Sequence, residues 1–151
     1  MTKKTSFSQT IQNWMDVFMH RSMRGWIQYV KSTGFSMPQF STLMQLFHKG
    51  ASGMSELSEA FGITPAAASQ LVDKLVQNGF IAREEDPNDR RAKLLNLTDK
   101  GRELVQQGIE ERYRWMDRLS GRLTEEERIQ VGEALEILTR VATDLEAEPI
   151  Q

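Results

Sequence analysis

Arg90 and Arg91 follow Asp89 at the end of the turn-forming run Asp86-Pro87-Asn88-Asp89, so two guanidinium groups and a carboxylate share one short turn. At a hairpin tip this group fits insertion of one guanidinium into a narrow minor groove of duplex DNA while the carboxylate orients the other. The plainer alternative is a surface ion pair worth ~0–1 kcal/mol. A second candidate surface is the segment Thr64-Pro65-Ala66-Ala67-Ala68-Ser69-Gln70, continued by Asp73 and Lys74. If Ala68, Leu71, Val72 and Leu75 form the buried stripe of a helix there, the free face is Pro65, Ala66, Ala67, Ser69, Gln70, Asp73 and Lys74. A helix lying in a major groove needs such a face near its amino terminus. Gln70 can pair with adenine through its amide, Ala66 and Ala67 are small enough to meet a thymine methyl, and Lys74 suits a phosphate. The same face lacks arginine, and an ordinary solvated helix side accounts for it equally well. The candidate DNA-contacting set is Ser55, Thr64, Pro65, Ala66, Ala67, Ser69, Gln70, Lys74, Asp89, Arg90, Arg91 and Lys93.

Other chemistries are poorly represented. The chain has no cysteine, which removes disulfides, thiol nucleophiles and every Cys-ligated metal. Its two histidines, His20 and His48, make no recognisable metal site, and no metal or cofactor is expected. No nucleophile elbow, Gly-rich phosphate loop or His-Glu-x-x-His pattern occurs, so nothing points to an enzyme. Met15, Met19, Met23, Met37 and Met44 are interleaved with Trp14, Phe18, Trp26, Phe40 and Phe47. Flexible thioethers beside aromatic rings can adapt to an apolar aromatic or phenolic ligand, and equally can be plain core or a dimer seam.

The elements that must position these groups follow from periodicity and capping signals. Apolar residues at three- and four-residue steps from Ile11 to Val30 predict one long helix over 8–31. Ser36, Pro38 and Gln39 open a second helix that runs to Gly50, and a short third spans about 55–61 before Gly62. Thr64 as cap and Pro65 in the first turn start a fourth, which ends at Asn78-Gly79. Helices three and four, joined by Gly62-Ile63, make a helix-turn-helix. Phe80–Glu84 and Lys93–Leu97 then read as two strands of a hairpin, a wing. Thr98 can cap a fifth helix, and Thr124 with Glu127 opens a sixth carrying Val131, Leu135, Leu138, Val141 and Leu145. The expected fold is mostly α with a small β wing, on one domain's worth of chain. Net charge is −2, unevenly spread: residues 1–102 sum to +4 and 103–151 to −6. A mildly basic body with an acidic end keeps nucleic acid open as a partner without establishing it. The longest apolar runs are three residues against the ~20 needed to span a bilayer, and no secretory pattern follows Lys3-Lys4, so a cytoplasmic protein without membrane contact is expected.

The order long helix, helix, helix-turn-helix, wing and two long helices resembles the MarR family of winged helix-turn-helix transcriptional regulators. Asp89-Arg90-Arg91 followed by Leu97-Thr98 matches that family's Asp-x-Arg and Leu-Thr wing pattern; Pro38-Gln39-Phe40 and Gly79-Phe80-Ile81 support the match, which covers about residues 10–145. The resemblance implies a homodimer built by helical regions 8–34 and 99–146, a winged lobe over 36–98, a palindromic duplex operator as partner, and most often repression. It also implies a small-molecule pocket, for which Trp14, Phe18, Met19, Met23, Phe40, Met44, Phe47 and Tyr113 are the candidate lining residues. Arg90 becomes the groove probe and Arg91 the brace of Asp89, although the sequence leaves the reverse assignment open. Two competing readings remain at this level: a winged helix that binds another protein, for which paired arginines at the wing tip have little use, and a helical small-molecule carrier, which binds its ligand regardless of DNA.

Overall fold

The computed structural model describes residues 6–86 and 93–146. Six helices and three short strands follow one another: α1 Phe7–Thr33, α2 Met37–Lys49, β1 Ser52–Gly53, α3 Met54–Phe61, α4 Pro65–Gln77, β2 Ile81–Glu85, β3 Lys93–Leu97, α5 Asp99–Ser120 and α6 Glu125–Glu146. The expected architecture, mostly helical with a small β wing, is the one observed. One strand was not expected: β1 adds to the hairpin, giving an antiparallel sheet in the order β1-β3-β2. Ser52 faces Leu95 and Gly53 faces Leu94 in that pairing.

Local chemistry sets most of the boundaries. Ser36 Oγ accepts from Gln39 N–H at 3.4 Å while Gln39 Oε1 accepts from Ser36 N–H at 3.0 Å, a complete capping box that starts α2. Thr64 Oγ1 accepts from Ala67 N–H at 3.2 Å with Pro65 in the first turn of α4. The turn before it needs a left-handed residue, and Gly62, at φ 61°, supplies one without a Cβ penalty. Thr98 Oγ1 accepts from Gly101 N–H at 3.1 Å at the head of α5.

The chain divides into two compact units, residues 1–113 and 114–151, the division falling inside α5. In the first unit, Leu43, Leu46, Leu57, Val72, Leu75, Ile81, Leu95, Leu97 and Val105 form one buried cluster joining α2, α3, α4, the sheet and α5. Each fully buried side chain of this size contributes ~1.5–3 kcal/mol of burial free energy. A second cluster, Trp26, Val30 and Phe40, joins α1 to α2. Phe40 meets Trp26 edge-on at 4.8 Å and Tyr29 at 5.9 Å. Gly108 lets α5 approach these rings: a Cβ there would stand 2.9 Å from Phe40 and 3.0 Å from Tyr29. Tyr29 donates its hydroxyl to the Leu104 carbonyl at 2.8 Å. Burial, followed by the nearby Glu111 and Glu110 carboxylates, pushes that phenol above its ordinary value.

The second unit holds the end of α5 and all of α6. Thr124 and Glu127 close a reciprocal capping box, with bonds of 2.8 and 3.2 Å, and Arg128 pairs with Glu125 in the first turn. Along α6, Ile129, Val131, Leu135, Ile137, Val141 and Leu145 are all between 44 and 61% exposed. Among the described residues, no helix is long and apolar enough to cross a membrane.

Candidate nucleic-acid interface

Helix α4 divides into a core stripe and an open face. Ala68, Val72 and Leu75 are fully buried, while Leu71, expected in that stripe, is half-buried at its edge. Pro65, Ala66, Gln70 and Lys74 are exposed, and Ala67, Ser69 and Asp73 are half-buried on its flanks. The polar residues nominated on α4 therefore do share one accessible side, with Gln70 near its middle. Ser55 is exposed in the first turn of α3, and the exposed Thr64 spends its hydroxyl on capping α4.

The wing is held at its root by bonds between distant residues. Thr98 Oγ1 donates to the Gly79 carbonyl at 2.7 Å, and Lys100 Nζ donates to the Asn78 carbonyl at 2.9 Å. The Lys100 ammonium also lies 4.3 Å from the centre of the Phe80 ring. The end of α4, the start of β2 and the head of α5 are thereby fastened at one place. Along the hairpin, Ile81 pairs with Leu97, Arg83 with Leu95 and Glu85 with Lys93. Directly opposed residues share a face, so this face runs from the buried Ile81 and Leu97 outward to charged groups. Lys93, nominated as a DNA contact, is bonded to Glu85 at 3.2 Å and both side chains are exposed. Asp89, Arg90 and Arg91 lie outside the described residues.

Arg83 was not nominated from sequence. Its guanidinium is paired with the Asp73 carboxylate of α4, and Ser69 Oγ donates to the other oxygen of Asp73 at 3.4 Å. Period-two alternation after the apolar Ile81 is the signal that could have found it, since it turns residue 83 toward α4.

The residues nominated for a ligand pocket are not gathered in one place. Met23, Phe40 and Met44 belong to the Trp26 cluster, and Phe40 is fully buried there. Phe47 packs on the larger cluster, with the ring of exposed His48 edge-on at 5.5 Å. Phe18 and Tyr113 lie 6.4 Å apart, and Trp14 and Met19 are exposed along α1. Beside Tyr113, sequence reasoning missed Arg112: its Nε is buried without a hydrogen-bond partner, and its guanidinium lies 5.6 Å from the Tyr113 ring centre. An open polar groove of roughly 600 Å³ lies elsewhere, lined by Gln45, Lys49, Ser52, Glu56 and Glu59. Among the described residues, no group of three or more His, Asp or Glu side chains could hold a metal ion.

Residues 35–93, the span from the start of α2 to the hairpin, match the MarR family. The HTH-type transcriptional repressor MdtR of Bacillus subtilis is 30% identical over 116 residues, covering 77% of this chain and 75% of that protein. YfiV, an uncharacterised HTH-type transcriptional regulator of the same organism, is 30% identical over 75% of this chain and 71% of its own length. The chain belongs to the MarR family. Solved structures agree on the fold: a transcriptional regulator from Thermotoga maritima superposes with a TM-score of 0.81 at 24% identity, covering 95% of this chain and 98% of that one. A mutant Staphylococcus aureus MepR bound to an oligodeoxyribonucleotide superposes with a TM-score of 0.69 at 23% identity, over 89% of this chain and 97% of that one.

Proposed function

We propose that this protein is a cytoplasmic, ligand-responsive repressor that binds a palindromic operator as a homodimer. The observation that carries the reading is the exposed Pro65, Ala66, Gln70 and Lys74 side of α4, which precedes paired strands β2 and β3 whose connecting sequence includes Asp89, Arg90 and Arg91. In it, residues 36–98 form the DNA-reading lobe, Gln70 reads a base edge with Ala66 and Ala67 beside it, Lys74 meets a phosphate, and Ser55, Thr64, Pro65, Ser69 and Lys93 border the same surface. Arg90 enters the minor groove and Arg91 braces Asp89. The repressor relatives support the direction of regulation. A fluorescence anisotropy titration tests the reading, using the DNA upstream of the protein's own reading frame and a scrambled duplex at two salt concentrations. The upstream duplex is expected to bind at least a hundredfold tighter, with both affinities falling as salt rises. Equal affinity for the two, or none, removes sequence-specific DNA binding from the account.

Homodimerisation through helices in 8–34 and 99–146 is supported by the apolar side chains these helices leave open: Trp14, Met15, Val17, Met19 and Ile27 on α1, and the stripe from Ile129 to Leu145 on α6. Exposed apolar surface on this scale marks an interface. Sedimentation equilibrium at micromolar concentration is expected to give twice the chain mass of 17.3 kDa. A monomer there would also remove the palindrome.

Ligand response is supported by a smaller group than the sequence suggests: the Phe18 and Tyr113 rings, 6.4 Å apart, and Arg112, whose guanidinium lies over the Tyr113 ring and whose Nε is buried without a hydrogen-bond partner. An aromatic carboxylate or phenolic compound is the fitting class, its anion taken by Arg112, with Arg21, Arg24 and His20 as further cationic partners on α1. Linkage requires that a ligand which loosens DNA be itself loosened by DNA. Millimolar salicylate is expected to raise Tm and to weaken operator binding together; no change in either counts against the pocket.

A further inference from the structure

We infer that the Arg83–Asp73 pair, with Ser69 behind it, is a positioning device that sets the angle between the recognition helix α4 and the wing, and that Arg83 acts through Asp73 rather than on DNA. The inference rests on the DNA-reading role proposed for α4. Three observations converge on it. Asp73 follows the fully buried Val72 and lies on the flank of the open side, so its carboxylate would face incoming phosphates were it not already paired. Arg83 shares its strand face with Ile81, which is 2% exposed, and stands across from Leu95, which is 1% exposed. Its guanidinium therefore emerges where the core ends and reaches α4, while the next pair outward on that face, Glu85 and Lys93, belongs to the hairpin alone. Ser69 Oγ donates to the free oxygen of Asp73 at 3.4 Å and limits its rotation. One guanidinium nitrogen of Arg83 meets one Asp73 oxygen and Ser69 meets the other, so both oxygens of the carboxylate have a defined partner. Both partners are substantially exposed, at 39 and 46%, so the pair adds little to folding stability and its consequence is geometric.

Charge alone and positioning make opposite forecasts. Asp73→Asn removes a negative charge and Arg83→Gln a positive one, so a purely electrostatic role would move DNA affinity in opposite directions. A shared positioning role moves both the same way. The probes are a duplex selected from a random pool by the unmodified protein and a mixed-sequence duplex of equal length, with full-length variants. Each single substitution is expected to weaken the selected duplex about tenfold, and the double variant no more than the worse single, because the pair acts as a unit. Mixed-sequence affinity and the salt slope should stay at parental values, and Arg83→Lys should fall between Arg83→Gln and the parent. Tm should move by no more than a few degrees. If Arg83→Gln fails to fold, Asp73→Asn and Arg83→Lys carry the comparison. Tighter binding by Asp73→Asn, with Arg83→Gln weakening both duplexes alike and lowering the salt slope by ~1, makes Arg83 a phosphate contact and overturns the inference. Unchanged affinities overturn it as well. A protein that selects no sequence loses the DNA reading itself, an outcome separate from any of these.

Discussion

Gly101→Ala is expected to destabilise the protein by an amount at the upper end of the ~1–3 kcal/mol typical of overpacking, or beyond it. A Cβ at this position would stand 2.3 Å from the Phe80 carbonyl oxygen and 3.1 Å from a Leu97 methyl. The methyl group could rotate away, but the carbonyl cannot: it is backbone at the start of the wing and accepts the Thr98 amide at 3.2 Å. Relief requires α5 to lift from the wing root, which breaks the cap from Thr98 Oγ1 to Gly101 N–H and disturbs the bonds to Gly79 and Asn78. The ordinary gain of about 1 kcal/mol for Gly→Ala inside a helix is smaller than this cost. For a chain of this length each kcal/mol moves Tm by roughly 2–4 °C, so a thermal melt should fall by several degrees. Operator affinity should fall with it, since the displaced segment carries the hairpin. An unchanged or raised Tm would mean that α5 and the wing root are not packed as described.

The largest effects on recognition are expected at Gln70 and Arg90. Gln70 is exposed near the middle of the open side of α4, and a glutamine amide is suited to bond an adenine edge with both its groups. Gln70→Ala should cost ~1–3 kcal/mol at one base pair of each half-site, with half-site centres about one turn, ~10 bp, apart. Arg90→Ala should weaken binding and also flatten the preference for A·T-rich flanks, because a narrow groove concentrates negative potential where that guanidinium would lie. Lys74→Ala offers the contrast: all sequences should weaken alike and the salt slope drop by ~1. If Arg91 braces Asp89, then Arg91→Ala and Asp89→Ala should resemble each other. Parental affinities for specific and random DNA in both Gln70→Ala and Arg90→Ala would end this account of recognition.

Much of the architecture was legible along the chain because the signals that start and stop helices are local. Ser36 with Gln39, Thr64 with Pro65, and Thr124 with Glu127 act across three residues or fewer, and each opens the helix expected of it. The helix-turn-helix and the two hairpin strands followed from similarly local signals, and the family from the resemblance of Asp89-Arg90-Arg91 with Leu97-Thr98 to the MarR wing pattern. Tertiary structure alone decided the rest. Strand β1 is two residues, Ser52 and Gly53, with no periodicity of its own; it is a strand because β3 passes beside it. Phe40 reads as one of several aromatic residues near methionines, yet Trp26 and Tyr29 of the preceding helix and Gly108 of the distant α5 enclose it. Arg83 sits in the acidic run Arg83-Glu84-Glu85-Asp86 and reads as a solvated charge until the chain reversal after α4 carries it back to Asp73. Capping is settled by covalent neighbours, whereas burial and ion pairing depend on which segments the folded chain returns to the same place. For that reason the sequence by itself determined the order of the helices and hairpin strands and, by resemblance, the family, while the fold determined the added strand, which charged groups face outward and which are held by a partner.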